Sequence, residues 1–145
     1  MRADLLRAVA TAVSEKEPAH WVVHPRSADL VAAATAGLGV TLLSPQGFTD
    51  FVRLVKSASF VVSDSGGVIR EAHLLGTPVV AIRDGGGWAE LDGHGSARHV
   101  RSSLDGLDRA LTWAMTRPST LPLDSPIVDV RGIDAGVASL VEHCR

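Results

Sequence analysis

The chain has 145 residues, with 14 Lys+Arg against 16 Asp+Glu, a net charge of −2, 46% apolar and 21% charged residues. That suits one folded domain able to bury roughly 70% of its unfolded surface. It excludes disorder, which needs far fewer apolar residues, and argues against nucleic-acid binding, which needs a concentrated basic surface.

In chain order, Leu5, Leu6, Val9 and Val13 lie at helical spacing and predict an amphipathic helix over 3–16. Trp21-Val22-Val23 reads as a buried strand stopped by Pro25, and Asp29 to Ala36 as a helix closed by Gly37. Val40 to Leu43 is the next strand, and Phe48, Phe51, Val52 and Val55 place a helix over 48–57. Phe60-Val61-Val62 is a third strand, followed at once by Ser63-Asp64-Ser65-Gly66-Gly67. Val68 to Leu75 is helical, with Gly76 as its stop, and Val79 to Ile82 is a fourth strand. A Gly-rich turn leads to Trp88-Ala89-Glu90-Leu91, a short helix; Ala97 to Val100 is a fifth strand and Leu104 to Met115 a helix. Residues 117–132 carry three prolines and read as irregular, and Ile133 to Cys144 as a last helix, so that 119–145 closes the chain.

Strands and helices alternate, and the strands are continuous apolar runs. That predicts an α/β protein with a doubly wound, Rossmann-like parallel sheet, a single domain over 1–145. Ligands of such sheets bind at the carboxyl ends of the strands. The informative residues are then His24, Gln46, Ser65-Gly66-Gly67 and Arg83.

Ser65-Gly66-Gly67 sits between a strand and a helix. Two glycines let a ligand approach closely, and the first-turn N–H groups of the helix attract anions, so the segment reads as a phosphate cradle. It reads equally as a tight turn with Ser65 as N-cap. It is not a Walker loop, since no Gly-Lys-Ser/Thr follows. Glu71 lies one helical turn beyond Gly67, where a carboxylate can accept from ribose hydroxyls or be a solvated charge. His24, at a strand end, suits acid/base work or phosphate binding. Arg83 suits phosphate, or a partner in Asp84 or Glu90, and Asp64 is expected to anchor its turn through backbone N–H groups. His20, His73, His94, His99 and His143 form no metal-ligand pattern and read as surface or satisfied residues. One cysteine, Cys144, excludes an internal disulfide and a thiolate metal cage. No cofactor is called for. No apolar run approaches the roughly 20 residues of a membrane helix, and the N-terminus carries charges throughout, so the expected location is cytoplasmic, away from any membrane.

His24-Pro25, Ser44-Pro45-Gln46-Gly47-Phe48-Thr49-Asp50-Phe51, Ser63-Asp64-Ser65-Gly66-Gly67-Val68 with Glu71-Ala72, Leu75-Gly76-Thr77-Pro78-Val79 and Arg83-Asp84 resemble, in order and spacing, the non-hydrolysing UDP-N-acetylglucosamine 2-epimerases. The resemblance runs from about Asp4 to Met115 and concerns the C-terminal, UDP-binding domain of a two-domain GT-B architecture, so the chain is equivalent to one half of it. It implies that Ser65, Gly66 and Gly67 hold the UDP diphosphate, that Glu71 binds the ribose, that Gln46 and Phe51 flank the uracil, and that His24 assists leaving-group chemistry. In the family's reaction UDP is eliminated to a glucal and added back after reprotonation at C2 from the other face. The carboxylates for that proton transfer belong to the N-terminal domain. The expected function is therefore a nucleotide-sugar-binding, 2-epimerase-like domain, inactive without its N-terminal half, with UDP or a UDP-sugar as ligand and a complementary half or a second copy as partner. The rivals are half of a split GT-B glycosyltransferase and a non-catalytic interaction module with a decayed UDP site.

Two departures stand out. After Arg-Asp the family reads Thr-x-Glu-Arg-Pro-Glu, whereas here Gly85-Gly86-Gly87-Trp88-Ala89-Glu90 puts Trp88 in place of a nucleotide-contacting arginine. A lost charge-assisted contact weakens binding by roughly 1.5–3 kcal/mol. The family's His-Arg stretch and first strand, which precede the first helix, are expected to be absent. In its Gly-rich loop, Trp88 reads either as a plug over the core or as an interface anchor.

Overall fold

The computed structural model describes residues 3–85 and 90–119. Two compact units divide the chain, Met1–Val52 and Arg53–Arg145.

In the first unit, α1 (Ala3–Ser14) precedes β1 (Ala19–Val22), a 3-10 turn (Pro25–Ser27), α2 (Ala28–Thr35) and β2 (Val40–Leu43). The strands pair in parallel from Ala19↔Val40 to Val22↔Leu43, and the Val23 N–H adds a bond to the Leu43 carbonyl. α1 buries Leu6, Val9 and Ala10, at the i, i+3, i+4 spacing of a single stripe. Leu6 joins Val23, Val31 and Ala34 in a small core, with Trp21 packed against it. The Arg7 guanidinium donates to the carbonyls of Ala34 and Ala36, both at 3.1 Å. A cation there satisfies acceptors that the end of α2 leaves without helical partners.

The unit boundary falls within α3 (Phe48–Ser57). The second unit then runs β3 (Val61–Ser63), α4 (Gly66–Leu74), β4 (Val79–Ile82), α5 (Glu90–His94), β5 (Ala97–Val100) and α6 (Leu107–Met115). Its sheet is parallel, in the order β3-β4-β5. β4 is central and buried along its whole length, with Val79, Val80 and Ala81 at 0% exposure. Ile69, Ala72, Leu91, Leu111 and Ala114 are also buried, on the helices α4, α5 and α6 of this unit. Burying each large aliphatic side chain contributes about 1.5–3 kcal/mol. This is why the strands read as uninterrupted apolar runs.

The α/β class and the parallel pairing stand as the sequence predicts, while several boundaries shift. α4 begins at Gly66, two residues earlier than the apolar pattern suggests, so both glycines lie inside its first turn. α6 begins at Leu107 and not at Leu104, because Leu104 and Gly106 adopt φ +63° and +82° and turn the chain before the helix starts. Trp88 and the helix expected over 133–144 lie outside the described residues. Among the described residues, no helix is long and apolar enough to cross a membrane.

Candidate functional site

The turn from β3 into α4 is the most distinctive strand end of the second unit. Ser65 is the N-cap, with extended backbone (φ −81°, ψ 120°), and its carbonyl accepts from the Ile69 N–H at 3.0 Å. Its hydroxyl makes no capping bond. The first-turn N–H groups of a helix have no intrahelical acceptor, and a Ser cap ordinarily takes one of them. Here Ser65 occupies the cap position without using its side chain for capping.

The turn is anchored by Ser63, whose hydroxyl oxygen accepts the Ser65 N–H at 3.1 Å. Asp64, the residue expected to do this, is exposed and is not that anchor. Gly67 does not owe its identity to the fold. An added Cβ would meet only the Ser65 hydroxyl oxygen, at an ordinary 3.8 Å, and no positive φ demands glycine there. A side chain at Gly67 would instead occupy the space in front of the helix's first turn. Glu71 follows one turn later, half-buried on α4.

Arg83 lies one residue past the end of β4, half-buried, with its N–H donating to the Val100 carbonyl at 2.9 Å. Its expected partner Asp84 is engaged elsewhere. One Asp84 oxygen accepts the Ser102 N–H at 2.8 Å and the other accepts the Ser102 hydroxyl. The Ser102 hydroxyl, and then its N–H, hold the Asp84 carboxyl below the usual carboxylate range, with a smaller contribution from Arg101. Sequence reasoning did not find Ser63 or Ser102, since serines in polar turns carry no pattern of their own.

In the first unit, His24 is exposed and caps the 3-10 turn, its Nδ1 accepting the Arg26 N–H at 3.2 Å. An accepting Nδ1 assigns the proton of the neutral ring to Nε2. Gln46 donates its amide to the Ser44 carbonyl at 2.6 Å, which leaves the side-chain oxygen as its acceptor. Phe51 is half-buried on α3, and Phe48, one turn earlier, is 67% exposed.

His73 belongs to the core of the second unit. It is 1% exposed, its Nδ1 is 2.9 Å from the Ser96 hydroxyl, and its ring stands edge-on to His94 with centroids 5.3 Å apart. Burial first, and His94 second, lower its pKa to about 4. His99 bonds to Asp92 at 2.9 Å. Among the described residues, no cluster of His, Cys, Asp and Glu could hold a metal ion.

A sequence profile of the family described as UDP-N-acetylglucosamine 2-epimerase matches residues 2–122. A UDP-N-acetylglucosamine 2-epimerase of Neisseria meningitidis serogroup A is 30% identical over 103 residues, covering 71% of this chain and 28% of that protein. A UDP-2,3-diacetamido-2,3-dideoxy-D-glucuronate 2-epimerase of Pseudomonas aeruginosa is 35% identical over 69 residues, covering 48% of this chain and 20% of its own. Among solved structures, the UDP-GlcNAc 2-epimerase of Methanocaldococcus jannaschii in complex with UDP-GlcNAc and UDP superposes with a TM-score of 0.71. It is 19% identical, and the match covers 94% of this chain and 41% of that one. The likeness establishes the Rossmann-like fold, and the chain spans less than half the length of each of these relatives.

Proposed function

The chain belongs to the UDP-N-acetylglucosamine 2-epimerase family, and we propose that residues 1–145 act as its nucleotide-sugar-binding domain, one half of a GT-B-type enzyme. The observation that carries this is the start of α4, where the cap hydroxyl is not used for capping and the space before the first turn is kept free by a glycine the fold does not require. A diphosphate suits that place, since it accepts from first-turn N–H groups and gains from the helix dipole.

In this reading Ser65, Gly66 and Gly67 hold the diphosphate, Arg83 adds a guanidinium to it, and Glu71 accepts from the ribose hydroxyls. Gln46 and Phe51 receive the uracil, the amide oxygen of Gln46 accepting from the base and the Phe51 ring supplying an apolar face. His24 presents Nε2–H to the departing UDP oxygen as a hydrogen-bond donor, which stabilises the charge that develops there as UDP is eliminated. The proton abstracted and returned at C2 of the sugar requires groups on the sugar's far side. Turnover therefore depends on a complementary half, and the partner is that half or a second copy of this chain.

NMR titration with UDP, alongside incubation with UDP-GlcNAc in deuterated water, tests the reading. We expect saturable binding near 1 mM, about 4 kcal/mol, with no deuterium at C2 for the chain alone. Exchange should appear once an N-terminal half is added. No response to millimolar UDP overturns the proposal. UDP binding with no exchange in the combined halves points instead to a split glycosyltransferase.

A further inference from the structure

Asp84 and Ser102 lie beyond the last paired residues of their strands, yet they meet in the same register. Ile82 pairs with Val100, and the Arg83 N–H still reaches the Val100 carbonyl at 2.9 Å. Asp84 and Ser102 are 18 residues apart, the separation that every β4–β5 pair keeps. The Asp84 carboxylate takes both the N–H and the hydroxyl of Ser102 and so continues the ladder with a side chain where the backbone no longer does. Arg83 is left between two fixed points, the Val100 carbonyl before it and the Ser102 clamp after it.

The loop that presents Ser102 holds a strained residue. Leu104 has φ +63°, a conformation a bulky side chain rarely adopts. The turn is closed by Leu104 N–H to the Arg101 carbonyl at 2.8 Å and Leu107 N–H to the Leu104 carbonyl at 3.0 Å. Strain of this kind persists only where the surroundings over-determine it. The Asp84 clamp is one such constraint, and it acts at the carboxyl edge of the sheet, where ligands of parallel sheets bind.

We propose that Ser102 is a positioning residue of the nucleotide site: by clamping Asp84 it fixes the backbone that aims Arg83 at the diphosphate. The inference rests on the UDP-binding reading above and adds to it a residue two strands away from the cradle. Arg83 without the clamp keeps its charge but loses its fixed base, so the cost falls on diphosphate recognition and not on the fold. The lowered pKa of Asp84, which its bonds to Ser102 cause, accords with this, since its carboxylate stays charged through neutral pH.

The test is NMR titration of the full chain and its Ser102→Ala and Ser102→Thr variants with UDP and with uridine, which lacks the diphosphate. Ser102→Ala should bind UDP about tenfold more weakly, the scale of one charge-assisted hydrogen bond. Its uridine affinity and thermal midpoint should not change, and Ser102→Thr, which keeps both donors, should restore UDP binding. UDP affinity equal to the parent's, or uridine binding weakened in parallel, overturns the inference while leaving the UDP reading intact. A parent chain that ignores UDP overturns that reading instead. Nitrogen relaxation of the Arg83 amide and guanidinium then decides the clamp alone, and equal order in the parent and Ser102→Ala refutes it.

Discussion

The two ends of α4 are built to opposite purposes. Its N-terminal turn is exposed at Ser65 and Gly67, uncapped by a side chain and indifferent to an added Cβ. Its C-terminal turn is closed on every side. Gly76, at φ +76°, sends its N–H to the His73 carbonyl at 3.0 Å, and the Thr77 N–H reaches the Ala72 carbonyl at 2.9 Å. That is the Schellman arrangement, which needs a residue at ease with positive φ. The buried Thr77 hydroxyl donates to the Val55 carbonyl at 3.0 Å, and His73 is held by Ser96. One helix thus fixes itself to the fold at the amino edge of the sheet and directs its positive end to the carboxyl edge. Stability and ligand binding should separate along it.

Four substitutions or conditions sharpen that separation. The largest effect is acid. His73 titrates at about 4 in the fold against roughly 6.5 unfolded, so below pH 6.5 the unfolded chain binds the extra proton. Stability should hold above pH 6.5, fall by up to about 3 kcal/mol as the pH drops to 4, and level off beneath. Urea unfolding of the parent and of His73→Leu between pH 7 and 4 checks this, and the variant should lose most of the slope. Next comes Gly67→Val, which should remove UDP binding by about 2 kcal/mol or more through obstruction of the first-turn N–H groups, with a thermal midpoint close to the parent's. Third, Thr77→Val leaves the Val55 carbonyl without its buried donor and should cost about 1–2 kcal/mol of stability, read from the urea midpoint, with UDP affinity retained. The smallest is Leu104→Gly, in the loop that carries Ser102. Relief of the positive φ should offset the lost side-chain contacts to within about 1 kcal/mol, and the unfolding midpoint should move least of the four.

Much of this was legible in the sequence, and the exceptions are instructive. The strands show as apolar runs because β4 is covered on both faces, and Gly37 and Gly76 mark helix ends because both take positive φ. The start of α4 was misplaced because glycines disfavour helix interiors, a preference that a first turn does not enforce. The late start of α6 escaped because nothing in Ser103-Leu104-Asp105 announces a leucine at positive φ. Two pairings are non-local, and no local pattern encodes them: Asp84 with Ser102, which follows the β4–β5 register, and His73 on α4 with Ser96 just before β5. The roles given to Gln46, Phe51 and His24 rest on resemblance, although the hydrogen-bonding valence of the Gln46 and His24 side chains can be read from the structure.

The burial of β4 also bears on how the chain behaves before it is folded. Val79-Val80-Ala81-Ile82 is uncharged and strand-prone, and in the native sheet both its edges are paired. During synthesis it emerges well before β5, its partner 18 residues downstream, and for that interval it is an adhesive segment of the kind that nucleates intermolecular sheets. Pro78 immediately before it and Arg83-Asp84 immediately after it are residues that interrupt such association. The same arginine and aspartate that follow β4 at the carboxyl edge of the folded sheet are thereby placed as gatekeepers against aggregation, and neutralising them should lower the yield of soluble protein even where the folded state tolerates the change.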